Sequence, residues 1–322
     1  MRKHMRKAAI LLFVLFALTF SFASAERVER EAITSGDFKY ALLEDGSVII
    51  TWYKGDATSL EIPQELDGKT VTAIDDQTFS LCDELTSVTI PNSITTIIGN
   101  PFNGCDSLTK ISVSPDHPSL TTIDGVLFCN ADKRLITYPC AFNQDDYVIP
   151  QGIEIIDTHT FYKCSSLNTI TIPDSVTKIR HGTFYQCENL KSISIPNNVS
   201  SIDDYAFQNC SCITEIAIPD SVISIGVNPF LGCDSLTRIS VSSNHPTLSS
   251  DNGVLLNTSE NLLISCPCAL NQNEYSVPQG IVTIRNRAFD KCSALISVTI
   301  PDSVTTIEEC AFYRSIITHF ST

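Results

Sequence analysis

Residues 184–196 have the sequence FYQCENLKSISIP, in which Phe184, Cys187, Leu190, Ile193 and Ile195 stand at fixed intervals. The pattern F-x-x-C-x-x-L-x-x-I-x-I-P recurs along nearly the whole chain, at steps of 23 residues with two longer steps of 59. A constant period of roughly 20–50 residues is typical of solenoids, whose units bury their apolar faces only against neighbouring units. The motif therefore predicts a repeat architecture that grows in one dimension.

The repeated apolar positions predict columns of inward-facing side chains, with neighbouring coils about 4.8 Å apart. Further columns come from the leucine and the isoleucine pair that follow each phenylalanine in the motif. A last column comes from an isoleucine five residues before each phenylalanine. The sequence thus predicts a β-rich solenoid of about ten coils. The phenylalanine and cysteine columns consist of Phe79, Cys82, Phe102, Cys105, Phe161, Cys164, Phe184, Cys187, Phe207, Cys210, Phe230, Cys233, Phe289 and Cys292.

A longer symmetry lies above the short repeat. Each 128-residue block contains three steps of 23 residues and one of 59, and the two long steps have matching sequences. The long step predicts one further coil and a hairpin excursion, with GVLF (125–128) leading out and LITYP (135–139) leading back in the first block. The chain is therefore predicted to contain an internal duplication.

The extended pattern I-x-x-x-A-F-x-x-C-x-x-L-x-x-I-x-I-P-x-S-V-x-x-I resembles the BspA-like, or treponemal-type, leucine-rich repeat, from about residue 60 to the C terminus. The resemblance implies a right-handed coil with a parallel β-sheet on one face. It also implies an extracellular or cell-surface protein, often an adhesin that binds matrix proteins or other cells. The family carries no catalytic residues, and its ligand contacts vary, so none is transferred to this chain.

Residues 1–25 are predicted to be a secretory signal peptide that is cleaved after Ala25. Four basic residues precede an apolar stretch at 8–22, and Ala23-Ser24-Ala25 fits a cleavage site. The alternative is an uncleaved membrane anchor, but the apolar stretch is short for a span of about 20 residues. We therefore expect a secreted or surface-displayed protein.

Removal of the signal peptide leaves 17 Lys and Arg against 36 Asp and Glu, a net charge of −19. Nucleic acids and anionic membranes are bound through clustered basic residues, so neither is an expected partner. We expect no membrane insertion once the signal is removed. An acidic surface favours solubility and basic or cation-bridged partners.

Residues 26–73 depart from the period and are predicted to form an N-terminal β cap, which leaves residues 74–322 as the solenoid. Strand-like runs at 38–42 and 47–52 flank the turn Glu44-Asp45-Gly46 and predict a hairpin. A solenoid needs its open end covered, and this segment fits that role.

Thirteen cysteines in an exported chain suggest disulfides. Seven of them lie on the inward column, where cysteine acts as a small apolar residue, so we predict mainly free, buried thiols there. Bridges between adjacent coils are the alternative. Cys129 and Cys140 suit a bridge across the first hairpin, but Asn257 replaces Cys129 in the second copy. The pairing of Cys129, Cys140, Cys266 and Cys268 stays open.

No pattern typical of an active site or a metal site occurs. Cys266-Pro267-Cys268 is a single C-x-C pair, whereas zinc sites need four ligands. The acidic pairs Asp75-Asp76 and Asp203-Asp204 recur at one repeat position, so a weak calcium site is the only alternative to a solvated turn. His117 and His245 each precede proline and are predicted turn residues. We predict a protein without catalytic activity, cofactor or metal.

The outward-facing residues of the L-x-x-I-x-I-P strands form the candidate binding surface. Alternate strand residues point to opposite faces, so the residues flanking each inward isoleucine are expected to be exposed. They are mostly small and hydroxylated, which suits an exposed strand and also a flat surface for an extended partner. We name this set the hydroxyl strip: Thr89, Lys110, Ser112, Thr169, Thr171, Ser192, Ser194, Glu215, Ala217, Arg238, Ser240 and Thr299.

These observations favour a secreted or surface protein that binds macromolecules in the manner of an adhesin, with an extracellular protein or glycan as ligand. The first alternative is a structural spacer or scaffold module of a larger surface protein. The second is a glycan-processing enzyme with an unrecognised site, which a pocket of convergent carboxylates with perturbed pKa values would support.

Overall fold

The computed structural model describes residues 32–321, and the predicted signal peptide lies outside this range. The first elements within this range are strands: β1 (Ile33–Ser35), β2 (Phe38–Leu42), β3 (Val48–Tyr53), β4 (Ser59–Glu61), β5 (Glu65–Leu66) and β6 (Lys69–Ile74).

We call residues 79–206 the first block and residues 207–322 the second block. The first block contains β7 (Ser87–Ile90), β8 (Thr96–Ile97), β9 (Lys110–Val113), β10 (Leu120–Ile123), β11 (Val126–Cys129), β12 (Arg134–Thr137), the 3-10 helix η1 (Cys140–Phe142), β13 (Asp146–Val148), β14 (Ile155–Ile156), β15 (Thr169–Thr171), β16 (Lys178–Ile179), β17 (Ser192–Ile193) and β18 (Ser201–Ile202).

The second block repeats most of this order. It contains β19 (Glu215–Ile218), β20 (Ser224–Ile225), β21 (Arg238–Val241), β22 (Leu248–Asp251), β23 (Val254–Asn257), β24 (Leu262–Ser265), β25 (Glu274–Ser276), β26 (Thr283–Ile284), β27 (Ser297–Thr299), β28 (Thr306–Ile307) and β29 (His319–Ser321).

The fold is the predicted β-solenoid, with two parallel ladders of short strands. The strip ladder carries the hydroxyl strip and includes the sheets β4-β7-β9, β13-β15-β17, β19-β21 and β25-β27-β29. The second ladder includes β12-β14-β16-β18-β20 and β24-β26-β28. Within both ladders the partners of regular coils are one period apart, as with Ile170 and Ile193. The 23-residue period read from the sequence is therefore the length of one coil.

The phenylalanine column runs through the core between the ladders. Ring centroids lie 5.3 Å apart for Phe161 and Phe184 and 5.1 Å apart for Phe184 and Phe207, with nearly parallel planes. The next column explains why cysteine recurs: the Cys187 thiol donates a hydrogen bond of 3.0 Å to the carbonyl of Phe161, one coil earlier. Cys210 donates in the same way to Phe184 at 3.0 Å. A small apolar side chain that satisfies a buried carbonyl suits this position.

The start and the number of turns of the solenoid differ from the prediction made from the sequence. Strand β3 pairs in parallel with β6, and β4 pairs in parallel with β7. Residues 48–61 thus already form a coil, although the sequence placed them in the cap. Within the described residues, the strands at this end that pair only in antiparallel fashion are β1, β2 and β5. This early coil and the turns of the long steps bring the solenoid to about 12 turns instead of ten.

Each predicted hairpin is part of a three-stranded antiparallel meander. Strand β10 precedes the hairpin β11-β12, and β12 then joins the second ladder by parallel pairing with β14. The excursion is therefore inserted between coils, and all four residues of β11 are buried. Asn100 holds the insertion: its amide donates to the carbonyl of His159 at 2.7 Å, and its side-chain oxygen accepts from Thr137 at 2.7 Å. Asn228 makes the equivalent bond to Arg287 at 2.6 Å in the second block.

The cysteine column departs from the prediction at one position. Cys164 is joined by a disulfide to Cys140, so it is not a free thiol, and Cys140 does not pair with Cys129. The 3-10 helix η1 returns the chain directly beside the next coil, which brings the two Cα atoms within 4.6 Å. The equivalent residues of the second block, Cys268 and Cys292, are free and buried.

Candidate functional site

The strip ladder presents the hydroxyl strip to solvent. In β15 the burial alternates, with Thr169 and Thr171 exposed on either side of the buried Ile170. Nine strip residues are exposed, and Ser112, Ser240 and Thr299 are half-buried. The strip therefore lies on one face because the strand period of two separates it from the isoleucine columns.

Pairing between coils sets which strip residues are neighbours. Thr169 lies opposite Ser192 across β15 and β17, and Glu215 lies opposite Arg238 across β19 and β21. Lys110 and Ser112 belong to a separate sheet, since the first meander follows β9. The strip is thus interrupted at the two meanders, and the coils from β13 to β21 form its longest run, in the two sheets β13-β15-β17 and β19-β21.

Several strip hydroxyls are free to bond a partner. The hydroxyl of Thr169 donates to Asp146 on the preceding rung. The side chains of Thr171, Ser192 and Ser194 are exposed, so their hydroxyls are accessible to a partner. The central strip therefore offers small, solvent-exposed hydroxyls along stacked coils.

The strip also contains residues that the sequence reading missed. Strand β13 pairs with β15, which places Asp146 and Val148 on the strip next to Thr169 and Thr171. Val148 is 67% exposed, an unusually large apolar surface for this face. The motif Tyr147-Val148-Ile149-Pro150 carries the same I-P step as the regular coils, so this signal was present in the sequence.

An aromatic cluster on the turns was missed as well. Tyr162 and Tyr185 stack with centroids 5.2 Å apart, and His181 meets the ring of Tyr205 edge-on at 5.8 Å. His159 contacts Tyr162 edge-on at 5.6 Å. The tyrosines that directly follow the column phenylalanines in two successive coils are its sequence signal.

The predicted turn histidines bond the backbone of their own turns. His117 Nδ1 accepts hydrogen bonds from the amides of Ser119 at 3.3 Å and Leu120 at 3.0 Å. His245 Nδ1 accepts from Thr247 at 3.2 Å and Leu248 at 2.9 Å. Both rings therefore shape the loop before a meander, as predicted.

The buried thiols of Cys187, Cys210 and Cys268 are poor nucleophiles. Burial raises the pKa of the Cys187 thiol and that of the Cys210 thiol well above the ordinary range, and raises the pKa of Cys268 to about 12. A thiol that stays protonated does not attack a substrate.

Among residues 32–321, no group of three or more His, Cys, Asp or Glu is arranged to hold a metal ion. No helix in that range is long and apolar enough to cross a membrane.

The repeated acidic position has unusual electrostatics at Asp76. Burial raises the pKa of Asp76 to about 6, and the nearby carboxylates of Asp75 and Asp157 act in the same direction. Nearby, burial lowers the pKa of His159 to about 4, with a further contribution from His181. Both groups are therefore held neutral in the folded protein under mildly acidic conditions.

These two residues predict opposite effects of acid on stability. Between about pH 4 and 6 folded Asp76 holds a proton that the unfolded chain has released, so its contribution to stability grows as the pH falls. Between about pH 6.5 and 4 the unfolded chain protonates His159 and the folded chain does not, so that contribution shrinks as the pH falls. Relative to wild type, the Asp76→Asn variant is expected to lose stability more steeply on acidification and the His159→Gln variant less steeply. Melting temperatures recorded across this pH range test the prediction, and equal slopes in all three proteins would contradict it.

Comparison with known proteins identifies the repeat. A family model described as "BspA type Leucine rich repeat region" matches in six copies, over residues 51–144, 137–252 and 266–322. No curated protein matches the chain.

Solved structures with similar folds come from bacteria. A leucine-rich repeat protein from Eubacterium ventriosum is 20% identical, with a TM-score of 0.52 over 89% of this chain and 96% of that one. A leucine rich cell surface protein from Faecalibacterium prausnitzii is 27% identical, with a TM-score of 0.49 over 91% and 76% of the two chains. The pneumococcal vaccine antigen PcpA is 22% identical, with a TM-score of 0.48 over 91% and 70%. The first of these shows the fold alone.

Proposed function

The chain belongs to the BspA type leucine-rich repeat family, and from this premise we propose that it is a secreted or cell-surface protein that binds macromolecules through the hydroxyl strip. A leucine-rich repeat module is an extended surface suited to protein interaction, since stacked coils place equivalent residues side by side. The proposed partner is an extracellular protein or glycan. Export by the predicted signal peptide supports the proposed location.

The observation that carries the proposal is the central part of the strip. Thr171, Ser192 and Ser194 are exposed on or directly after strands that the stacked core fixes in place. An extended partner can lie across such a surface without displacing bulky side chains. Rigid strands lower the entropy lost on binding, because the surface is already ordered before the partner arrives.

The proposed module acts without catalysis. The buried thiols have raised pKa values, and His117 and His245 are used in their own turns. The strip itself offers hydroxyls, one ion pair and the isolated Lys110. These groups suit recognition by hydrogen bonds.

Binding of the purified chain to a panel of matrix proteins and glycans, at two salt concentrations, tests the proposal. The variant Thr171→Lys, Ser194→Lys and Ala217→Lys replaces three small strip residues by long charged ones, and we expect it to bind at least about tenfold more weakly. The matched control places three lysines on the second ladder, at the exposed residues Thr96, Ser224 and Thr306, and is expected to bind within about twofold of wild type.

Two results would overturn this assignment. An equal loss of affinity in both variants would show that the added positive charge, and not the strip, controls binding. The loss of affinity would then become smaller at the higher salt concentration, because salt screens the added charges. Binding that survives the strip substitutions would place the contact on another face.

A further inference from the structure

A groove of about 350 Å³ lies where the second meander meets the strip. Its polar lining comes from Glu215, Thr237 and Arg238 of the strip ladder, Asn252 of the β22-β23 turn, and Asn271 and Gln272 of the loop after β24. Small-molecule sites in proteins have volumes of roughly 300–1,000 Å³, so the groove is large enough for a compact ligand.

Backbone contacts fix the walls of this groove. The amide of Ile239 donates to the carbonyl of Gly253 at 3.0 Å, which fastens the β22-β23 turn to strand β21. The amide of Ala269 donates to the carbonyl of Leu236 at 2.9 Å, which fastens the loop on the other side. Gly253 has a φ of +92°, and a Cβ there would lie 3.4 Å from the Cα of Arg238, so glycine permits this close approach. The groove is therefore a formed part of the fold.

The lining is polar but nearly neutral. Arg238 Nη2 lies 2.8 Å from Glu215 Oε2, and both side chains are 58% exposed, so the only two charges of the lining compensate each other. Three side-chain amides and one hydroxyl supply both donors and acceptors. Among the described residues, Gln272 Nε2 is buried at this site and has no hydrogen-bond partner. An unpartnered buried donor is costly for the fold.

We propose that this groove binds an uncharged saccharide unit, as part of a larger glycan. The proposal rests on the proposed function and specifies one site and one ligand class for it. Sugar hydroxyls both donate and accept, as the side-chain amides of Asn252, Asn271 and Gln272 do. The paired Glu215 and Arg238 present a carboxylate and a guanidinium that bond neighbouring hydroxyls without attracting net charge. Ala269, which is half-buried in the lining, supplies a small apolar contact for the C–H face of the ring.

Other ligand classes fit the lining less well. A phosphate or sulfate group needs an unpaired cation, and Arg238 is already paired. A lipid needs a mainly apolar lining. A peptide that adds a strand needs a free sheet edge, but the carbonyl of Gly253 already accepts from the edge of β21.

The first block offers a matched control. Asn143 and Gln144 occupy the places of Asn271 and Gln272, but Ser87 replaces Glu215 and Lys110 replaces Arg238. Gln144 is exposed, whereas Gln272 is half-buried with its amide nitrogen enclosed. The first block therefore lacks the ion pair and the enclosed amide, and we expect it to contribute little to saccharide binding.

Isothermal titration of the purified chain with neutral oligosaccharides built from glucose, mannose, galactose or N-acetylglucosamine tests the proposal. We expect at least one of them to bind. The double variant Asn271→Ala and Gln272→Ala is expected to weaken that binding about tenfold or more, and the double variant Asn143→Ala and Gln144→Ala by less than about twofold. Thermal melts establish that both variants are folded.

Three results would overturn the proposal: no neutral oligosaccharide binds, the two double variants lose binding equally, or only anionic oligosaccharides or peptides bind the groove. The strip lysine variant separates this outcome from the function proposed above. If a matrix ligand still depends on the strip while no saccharide binds, only the groove assignment fails. If a saccharide binds the groove while the strip lysines leave macromolecule binding unchanged, the strip assignment fails instead.

Discussion

Replacement of Asp157 by asparagine is expected to lower the free energy of unfolding by about 3–5 kcal/mol. The Asp157 side chain is fully buried and forms ion pairs with Arg134 and with Arg180, the latter at 3.2 Å. Asparagine keeps the shape of the side chain but removes the charge, so the largely buried guanidinium of Arg134 loses its buried partner and keeps only the half-exposed Asp132 at 2.9 Å. A buried charge without a partner costs more than the pair itself contributes. Chemical denaturation followed by circular dichroism measures the change.

The exposed ion pair between Lys133 and Glu154 serves as the control for this prediction. Both side chains are about half exposed, and pairs of this kind contribute less than about 1 kcal/mol, so Glu154→Gln is expected to change stability little. A similar, small effect of both substitutions would show that water reaches Asp157 and that the cluster is not a buried one.

The second large effect is expected from Phe184→Ala, at about 3–5 kcal/mol of unfolding free energy. Phe184 is completely buried and stacks between Phe161 and Phe207. Removing the ring takes away apolar contacts with both neighbouring coils and leaves a cavity that stacked coils cannot collapse to fill. Denaturant midpoints with the same probe give the magnitude.

Phe320→Ala is the matched control, because Phe320 lies on β29 and is 56% exposed. Its loss is expected to cost well under about 1 kcal/mol. If the two substitutions destabilised the chain equally, the phenylalanine column would not be the continuous core described above.

The sequence predicted the features that depend on the period alone. Thr169, Ile170 and Thr171 alternate between solvent and core because neighbours on a strand point in opposite directions. The stacking of Phe161, Phe184 and Phe207 follows from their spacing of one coil. Successive coils can stack with equivalent residues on top of one another in only one register. The repeat pattern therefore specifies how the coils pack.

The sequence did not predict the contacts made where an irregular segment packs back against the coils. The disulfide between Cys140 and Cys164 forms because η1 follows a meander of a particular length, and the sequence offered Cys129 as an equal partner. The groove depends on the fold of the β22-β23 turn and of the loop at Asn271. Isolated asparagine and glutamine residues in a sequence do not by themselves indicate a binding site.

The first and second blocks share some interactions and differ in others. Lys163 pairs with Asp106 at 3.5 Å, and Lys291 pairs with Asp234 at 3.6 Å in the second block. By contrast, Arg285 stands in the second block at the place of Asp157. The buried ion-pair cluster is thus specific to the first block, while the coil itself needs only the columns.

The most direct test of the central claim, that macromolecules bind at the hydroxyl strip, is photocrosslinking from single positions. A benzophenone amino acid placed at Thr171 reports on the strip, and the same group at Lys178 reports on the second ladder of the same coil; both positions are exposed. With a matrix ligand identified by the binding panel, we predict a crosslinked complex from position 171 and none from position 178. Crosslinking from position 178 alone would contradict the account and place the binding face on the second ladder.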